Sequence, residues 1–176
     1  MQFNDPTSAA LDALARANQP GWRSAVPALI HGALGRWPGH PDLVDALCTL
    51  ANDDAFAESE GHALVPVLVE AASAVRRSDS APLHSHAARL CWIYEDADMA
   101  FGHLIEAFTA DPNHADARAL MAELLADPDE APTISDGLET LALRAVRGDI
   151  DKQAVLDIIE ECGPMGSHRA RALLGH

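Results

Sequence analysis

The sequence has few aromatic residues and almost no lysine. Aromatic side chains make up 5% of its 176 residues, and Lys152 is the one lysine. Runs of β-branched residues are scarce and no stretch alternates cleanly between polar and apolar positions, which disfavours strands. Hydrophobic residues nevertheless reach 48%, with Ala and Leu prominent. We therefore expect an all-α fold of closely packed helices.

Cysteine and long apolar runs are also scarce. The cysteines number three, an odd count, and lie within helical patterns, so they indicate buried thiols in a reducing compartment rather than a disulfide framework. No apolar stretch is long enough to cross a bilayer, and residues 1–6 do not follow the signal-peptide pattern. We expect a cytoplasmic protein, and the lack of lysine hints at a bacterial source.

The charge is strongly one-sided. The formal net charge is −15, which argues against nucleic acid and against an anionic membrane surface as partners. An acidic chain attracts a basic partner by electrostatic steering, although surface acidity also serves solubility alone.

Two segments of the chain repeat each other. Residues 36–42 (RWPGHPD) match residues 110–116 (ADPNHAD) at their Pro, His and Asp positions. The match extends upstream, where small and large residues recur with the same spacing: Val26, Ile30 and Ala33 correspond to Ala100, Leu104 and Ala107. Fixed-period self-similarity is typical of repeat proteins. The repetition indicates that the turns at His40 and His114 have a structural role, as corners between hairpins.

Residues 81–114 carry a family resemblance. The segment has a small pair at Ala87-Ala88, then Cys91-Trp92, and it closes with Asp-Pro-Asn at 111–113. The segment resembles a tetratricopeptide repeat in length and in these positions. The resemblance implies an α-α superhelix, or solenoid, of TPR-like helical hairpins that binds proteins or peptides.

The resemblance divides the chain into about four hairpins and a capping end. We predict a single domain over 1–176, with units at about 7–40, 41–80, 81–114 and 115–148 and capping helices over 149–176. The second unit departs from the pattern through an acidic stretch at 53–60, interpreted as a loop before a helix at 62–77. An α-solenoid of another type is the alternative.

Such arrays bind in the groove that the first helix of each hairpin lines. Alignment to the third unit gives these candidates for a partner-binding groove: Asp42, Asp45, Thr49, Asn52, Asp53, Ser85, Arg89, Trp92, Asp116 and Glu123. Most are acidic or neutral, and Arg89 is the one cation. The set therefore disfavours a clamp for a partner's carboxylate and favours a basic partner.

Other motifs give no chemistry. His84 and His86 are two apart on a helix and diverge, and no metal-binding motif occurs, so we expect no metal and no cofactor. Cys162 and His168 lack an orienting group, and adjacent glutamates disfavour a thiolate. Trp22 is expected to pack between the first two helices, whereas Trp37 either packs in the core or marks an exposed contact patch.

These observations favour a non-enzymatic binding module, an adaptor or chaperone-like scaffold for a protein or peptide. Two alternatives remain. One is a small acidic inhibitor of a basic effector, of the immunity-protein or antitoxin type, which fits the charge. The other is a structural scaffold that forms homo-oligomers through its terminal hairpin faces.

Overall fold

The computed structural model describes residues 5–163 and 168–175, and all regular structure in that part of the chain is helical. The all-α prediction is therefore confirmed. The α-helices are α1 (Pro6–Ala17), α2 (Val26–Leu34), α3 (Pro41–Asn52), α4 (Asp54–Ala74), α5 (Ala81–Ile93), α6 (Ala97–Ala110), α7 (Ala115–Leu125), α8 (Ala131–Arg147), α9 (Lys152–Glu161) and α10 (His168–Leu173). Short 3₁₀ turns precede α2, α5 and α8.

Aspartate and proline set the helix starts. Asp5, Asp53, Asp96 and Asp151 precede α1, α4, α6 and α9, and each carboxylate accepts a hydrogen bond of 2.8–3.1 Å from the backbone N–H three residues later. This satisfies one of the donors that every helix leaves unpaired at its N-terminus. Proline stands in the first turn of α1, α2, α3, α5 and α8, where its missing N–H costs nothing.

The two repeated turns have nearly the same dihedral angles at the histidine that precedes the next helix. His40 is the N-cap residue of α3 with φ −64° and ψ 129°, and His114 is the N-cap residue of α7 with φ −61° and ψ 117°. Neither side chain makes a capping hydrogen bond, so the turn is formed by the backbone. Gly39 before the first of them has φ +66°, and a Cβ there would lie 2.8 Å from the carbonyl oxygen of Ala74. The corner therefore needs glycine on both conformational and steric grounds.

Several pairs of helices of the same parity contact one another. The odd-numbered helices follow in order, since α1 contacts α3, α3 contacts α5 and α5 contacts α7. On the other side α2 contacts α4, and α6 contacts α8. Sequential neighbours also pack together throughout, from α1 with α2 to α8 with α9. The six residues that recur with the same spacing in the sequence are all buried: Val26, Ile30, Ala33, Ala100, Leu104 and Ala107.

Helix α5 is enclosed by its neighbours. It contacts α3, α4, α6 and α7, and it buries Leu83, Ala87, Ala88 and Leu90 completely. The buried apolar side chains of the described residues form two clusters. Ala87 belongs to the N-terminal cluster and Ala88 to the C-terminal one. A single helix thus provides walls for both cores.

The acidic stretch at 53–60 is helical, so the predicted loop is wrong. The stretch begins α4, a continuous helix of 21 residues. Asp53 caps the helix, and Phe56 and Ala57 are buried against the N-terminal core. Negative charge at a helix N-terminus is favourable because it complements the helix dipole. The acidic residues that suggested a loop are therefore suited to the first turns of a helix.

A polar clamp joins α6 and α8. Arg144 on α8 donates to both carboxylate oxygens of Glu106 on α6, and its Nη1 also donates to the hydroxyl of Thr109 at 2.9 Å. The hydrogen bonds from Arg144 hold the pKa of Glu106 below its ordinary value. The C-terminal end of α8 is closed by Gly148, which has the left-handed φ of +82° that a glycine cap adopts.

Two helical glycines provide a matched test of the packing between α6 and α8. A Cβ at Gly137 on α8 would lie 1.8 Å from a ring carbon of buried Phe101, whereas a Cβ at Gly102 on α6 would meet nothing within 4 Å. We expect Gly137→Ala to lower the free energy of unfolding by about 1–3 kcal/mol through overpacking. Gly102→Ala should raise it by up to about 1 kcal/mol, because alanine favours helix. Urea denaturation followed by circular dichroism measures both, and equal effects would contradict the packing.

Candidate functional site

The face formed by α1, α3, α5 and α7 has two depressions that contain most of the predicted groove residues. One lies over α3, α5 and α7 with a volume of about 270 Å³, and the other lies between α1 and α3 with a volume of about 260 Å³. We call them the central depression and the N-terminal depression.

The central depression brings five predicted residues together. Its lining includes Asn52, Ser85, Arg89, Asp116 and Glu123. Three helices contribute these side chains, so the site depends on the packing of α3, α5 and α7. These five residues provide two carboxylates, one amide, one hydroxyl and one guanidinium, groups that can bind a partner through hydrogen bonds and charge.

The N-terminal depression contains three further predicted residues. Asp42, Asp45 and Thr49 project from successive turns of α3, opposite Leu11 and Thr7 of α1. The hydroxyl of Thr7 donates to the Asp42 carboxylate, and the hydroxyl of Thr49 donates to the Asp45 backbone carbonyl at 2.8 Å. The exposed Asp45 carboxylate therefore faces solvent beside an apolar residue, Leu11, which is itself 63% exposed.

Two predicted residues lie outside both depressions. Asp53 is the N-cap of α4, and its carboxylate accepts from the backbone N–H of Phe56 at 2.8 Å. Trp92 is partly buried and packs against the C-terminal core. Both have structural roles that the alignment alone did not indicate.

Arg89 crosslinks three helices. Its Nη1 donates to the carbonyl of Ala51 at 2.7 Å, and its Nη2 binds the Asp54 carboxylate at 2.6 Å. Ala51 lies in the last turn of α3, where carbonyls lack helical partners and a cation is favourable. The cation of the central depression is therefore balanced by Asp54 within the protein.

His86 is the component of the central depression that the groove alignment missed. Its side chain is 5% exposed and lies beside Asp116 in the lining. Burial lowers its pKa below the ordinary 6.5, against the opposing influence of the Asp116 carboxylate. The signal available in the sequence was its position one residue after Ser85 on α5. Spacing alone does not show whether such a residue lines the depression or lies on the buried side of the helix.

The groups considered for catalysis do not form a reactive site. Burial, with Glu161 adding to it, raises the pKa of Cys162 to about 11, so the thiol is protonated at neutral pH and is a poor nucleophile. Burial raises the pKa of Cys48 and Cys91 to about 11 as well. Within residues 5–163 and 168–175, no three His, Cys, Asp or Glu side chains are grouped as metal ligands would be.

Comparison with protein-family models, curated proteins and solved structures gives no match. None of the described helices is both long and apolar enough to span a membrane.

Arg89 should be needed for stability as well as for the shape of the depression. We expect Arg89→Met to lower the free energy of unfolding by about 1–3 kcal/mol, because it removes hydrogen bonds to a carboxylate and to a helix-terminal carbonyl. Asp54→Asn should cost less, since the bond to Ala51 remains. Thermal and urea denaturation of both variants test this, and an Arg89→Met protein as stable as the wild type would refute the crosslink.

Stability should fall as the pH drops below neutrality. Burial lowers the pKa of His84, His86 and His103 below 6.5, so the folded protein binds fewer protons than the unfolded chain. Their contribution is complete above the unfolded pKa and is lost as the pH falls through the folded values. We expect the urea midpoint to decrease between about pH 7.5 and about pH 5, and His86→Gln to weaken that dependence. A midpoint that stays constant over this range would contradict the burial of neutral imidazoles.

Proposed function

We propose that this protein is a non-enzymatic binding module, a TPR-like array of about four hairpins with capping helices, that holds a basic protein segment on its odd-helix face. The observation that carries the proposal is the presence of exposed acidic side chains in both depressions. Asp45 lies in one, and Asp116 and Glu123 lie in the other.

The array is supported by packing and register. The order of contacts among α1, α3, α5 and α7 is what stacked hairpins produce when each presents its first helix on the same side. The same interpretation is supported by the corresponding turns at His40 and His114 and by the buried residues that precede them. The boundaries of the four units stay a prediction.

The choice of a basic partner follows from the local charges. Arg89 is paired with Asp54, and Arg118 on α7 binds Glu161 on α9. Asp45, Asp116 and Glu123 are exposed. A cationic side chain that enters either depression therefore meets carboxylates, and electrostatic attraction raises its rate of association.

An acidic inhibitor of a basic effector remains the second function, and the net charge of −15 favours it. The two functions differ in what binding does to the partner. An inhibitor abolishes the partner's activity on its own, whereas an adaptor leaves the partner's active site accessible.

Neutralising the three exposed carboxylates should weaken binding of an arginine-rich helical peptide. We expect the triple variant Asp45→Asn, Asp116→Asn, Glu123→Gln to lower the affinity about tenfold or more, with a shallower dependence on salt. Isothermal titration calorimetry at several salt concentrations measures both. A peptide of the same length that ends in carboxylates should bind neither protein.

A second triple variant controls for net charge. Glu58→Gln, Asp136→Asn and Glu160→Gln neutralise three exposed carboxylates that lie outside both depressions. This protein should bind the peptide within about twofold of the wild type. Equal losses in both triples would mean that the peptide responds to overall charge, and the proposed site would be wrong.

A further inference from the structure

The N-terminal part of the chain differs in charge from the rest. Between Asp12 and Asp42 the sequence contains no aspartate and no glutamate, whereas it contains Arg16, Arg23 and Arg36. The remainder holds all 27 acidic residues. The acid-free segment includes the whole of α2 and two of the three tryptophans, Trp22 and Trp37.

This segment forms a groove with a volume of about 690 Å³. Its floor runs from Ala25, the residue before α2, along one side of α2 through Ala28, Leu29 and Gly32. The other side of α2 packs on α1, α3 and α4. The groove thus lies on a side of α2 where Ala28 and Gly32 are exposed.

Each of the two tryptophans in the groove is paired with an arginine. The Arg16 guanidinium lies 4.5 Å from the ring centroid of Trp22, and the Arg36 guanidinium lies 4.8 Å from that of Trp37. Trp37 packs against the N-terminal core, whereas Trp22 is 50% exposed, so it does not pack between the first two helices as the sequence predicted. Exposed tryptophan beside arginine is typical of binding hot spots.

No carboxylate lines the groove. Arg16 forms an ion pair with Asp12 on the same helix, so its charge is partly compensated. The exposed Arg36 lies at the other end of α2. In a protein of net charge −15, this is a local surface to which a carboxylate is attracted rather than repelled.

We propose that the α2 groove docks an amphipathic helix of an acidic partner protein, with apolar side chains on the tryptophans and carboxylates towards Arg36 and Arg16. The small residues Ala25, Ala28 and Gly32 recur at helical spacing and leave room for a helix backbone to approach closely. The docked helix packs beside α2 much as α1 and α4 do. Charge complementarity selects the acidic partner over the basic one that we assign to the odd-helix face.

The proposal does not depend on the function assigned to the odd-helix face. The two sites have opposite charge preference and share no lining residue. A protein with both would join a basic partner to an acidic one. If the experiments disprove binding at one site, binding at the other site can still be tested.

Gly32 provides a direct test. Its Cβ position has nothing within 4 Å, so Gly32→Glu places a carboxylate in the groove without a clash inside the protein. The probes are two synthetic helical peptides with the same leucine stripe, one flanked by glutamate and the other by glutamine. We expect the glutamate peptide to bind the wild type at least about tenfold more tightly than the glutamine peptide does. Gly32→Glu and Trp22→Ala should each weaken it about tenfold or more, as measured by calorimetry.

Matched variants control for these substitutions. Gly102 is also an exposed helical glycine with nothing within 4 Å of its Cβ position, and Met99 is 50% exposed, as Trp22 is. Gly102→Glu and Met99→Ala should bind the glutamate peptide as the wild type does, and circular dichroism melts should show all four variants folded. Equal binding of the two peptides, or full binding by Gly32→Glu, would overturn the proposal. So would light scattering that shows a wild-type dimer which Gly32→Glu dissociates, because the occupant would then be a second copy of this chain.

Discussion

The fold depends on the burial of α5 among four other helices. A helix with neighbours on several sides needs small side chains where the axes approach, and α5 provides Ala87 and Ala88 there, both fully buried. Its remaining exposed side carries Arg89, which joins it to the end of α3 and the start of α4. The candidate site and the core are therefore built on the same helix, and the depression exists only while the core is intact.

The helical fold and the repeated corners could be predicted because the signals are local. Proline in first turns, aspartate at N-caps and glycine after α8 each act on the residues beside them. The doubled Pro-x-His-x-Asp segment predicted equivalent corners, and His40 and His114 have nearly the same dihedral angles. Five groove residues could be aligned for the same reason, since repeat spacing assigns them to the odd-numbered helices α3, α5 and α7, which line one depression.

The remaining features depend on contacts between distant residues. The start of α4 was interpreted as a loop because its acidic residues are polar, yet Phe56 and Ala57 are drawn into a core that the local sequence does not reveal. Arg89 was expected to face a partner, but Ala51 and Asp54 occupy its donors from 35 or more positions away. The α2 groove depends on how α1 and α2 lie relative to each other, and composition does not specify that arrangement.

The meeting of the two cores within α5 has a consequence for how the molecule opens. Ala87 contributes to one core and Ala88 to the other, so the two bodies of buried side chains share a continuous helix at their boundary. When the helices around one core lose their order, the other core loses one of its walls. The local unfolding equilibria of the two cores are therefore coupled. A bound partner that rigidifies α3 and α5 would thereby slow opening in α8 and α9, although it touches neither helix. Transmission of this kind requires no change of conformation, only a change in how often the distant helices separate.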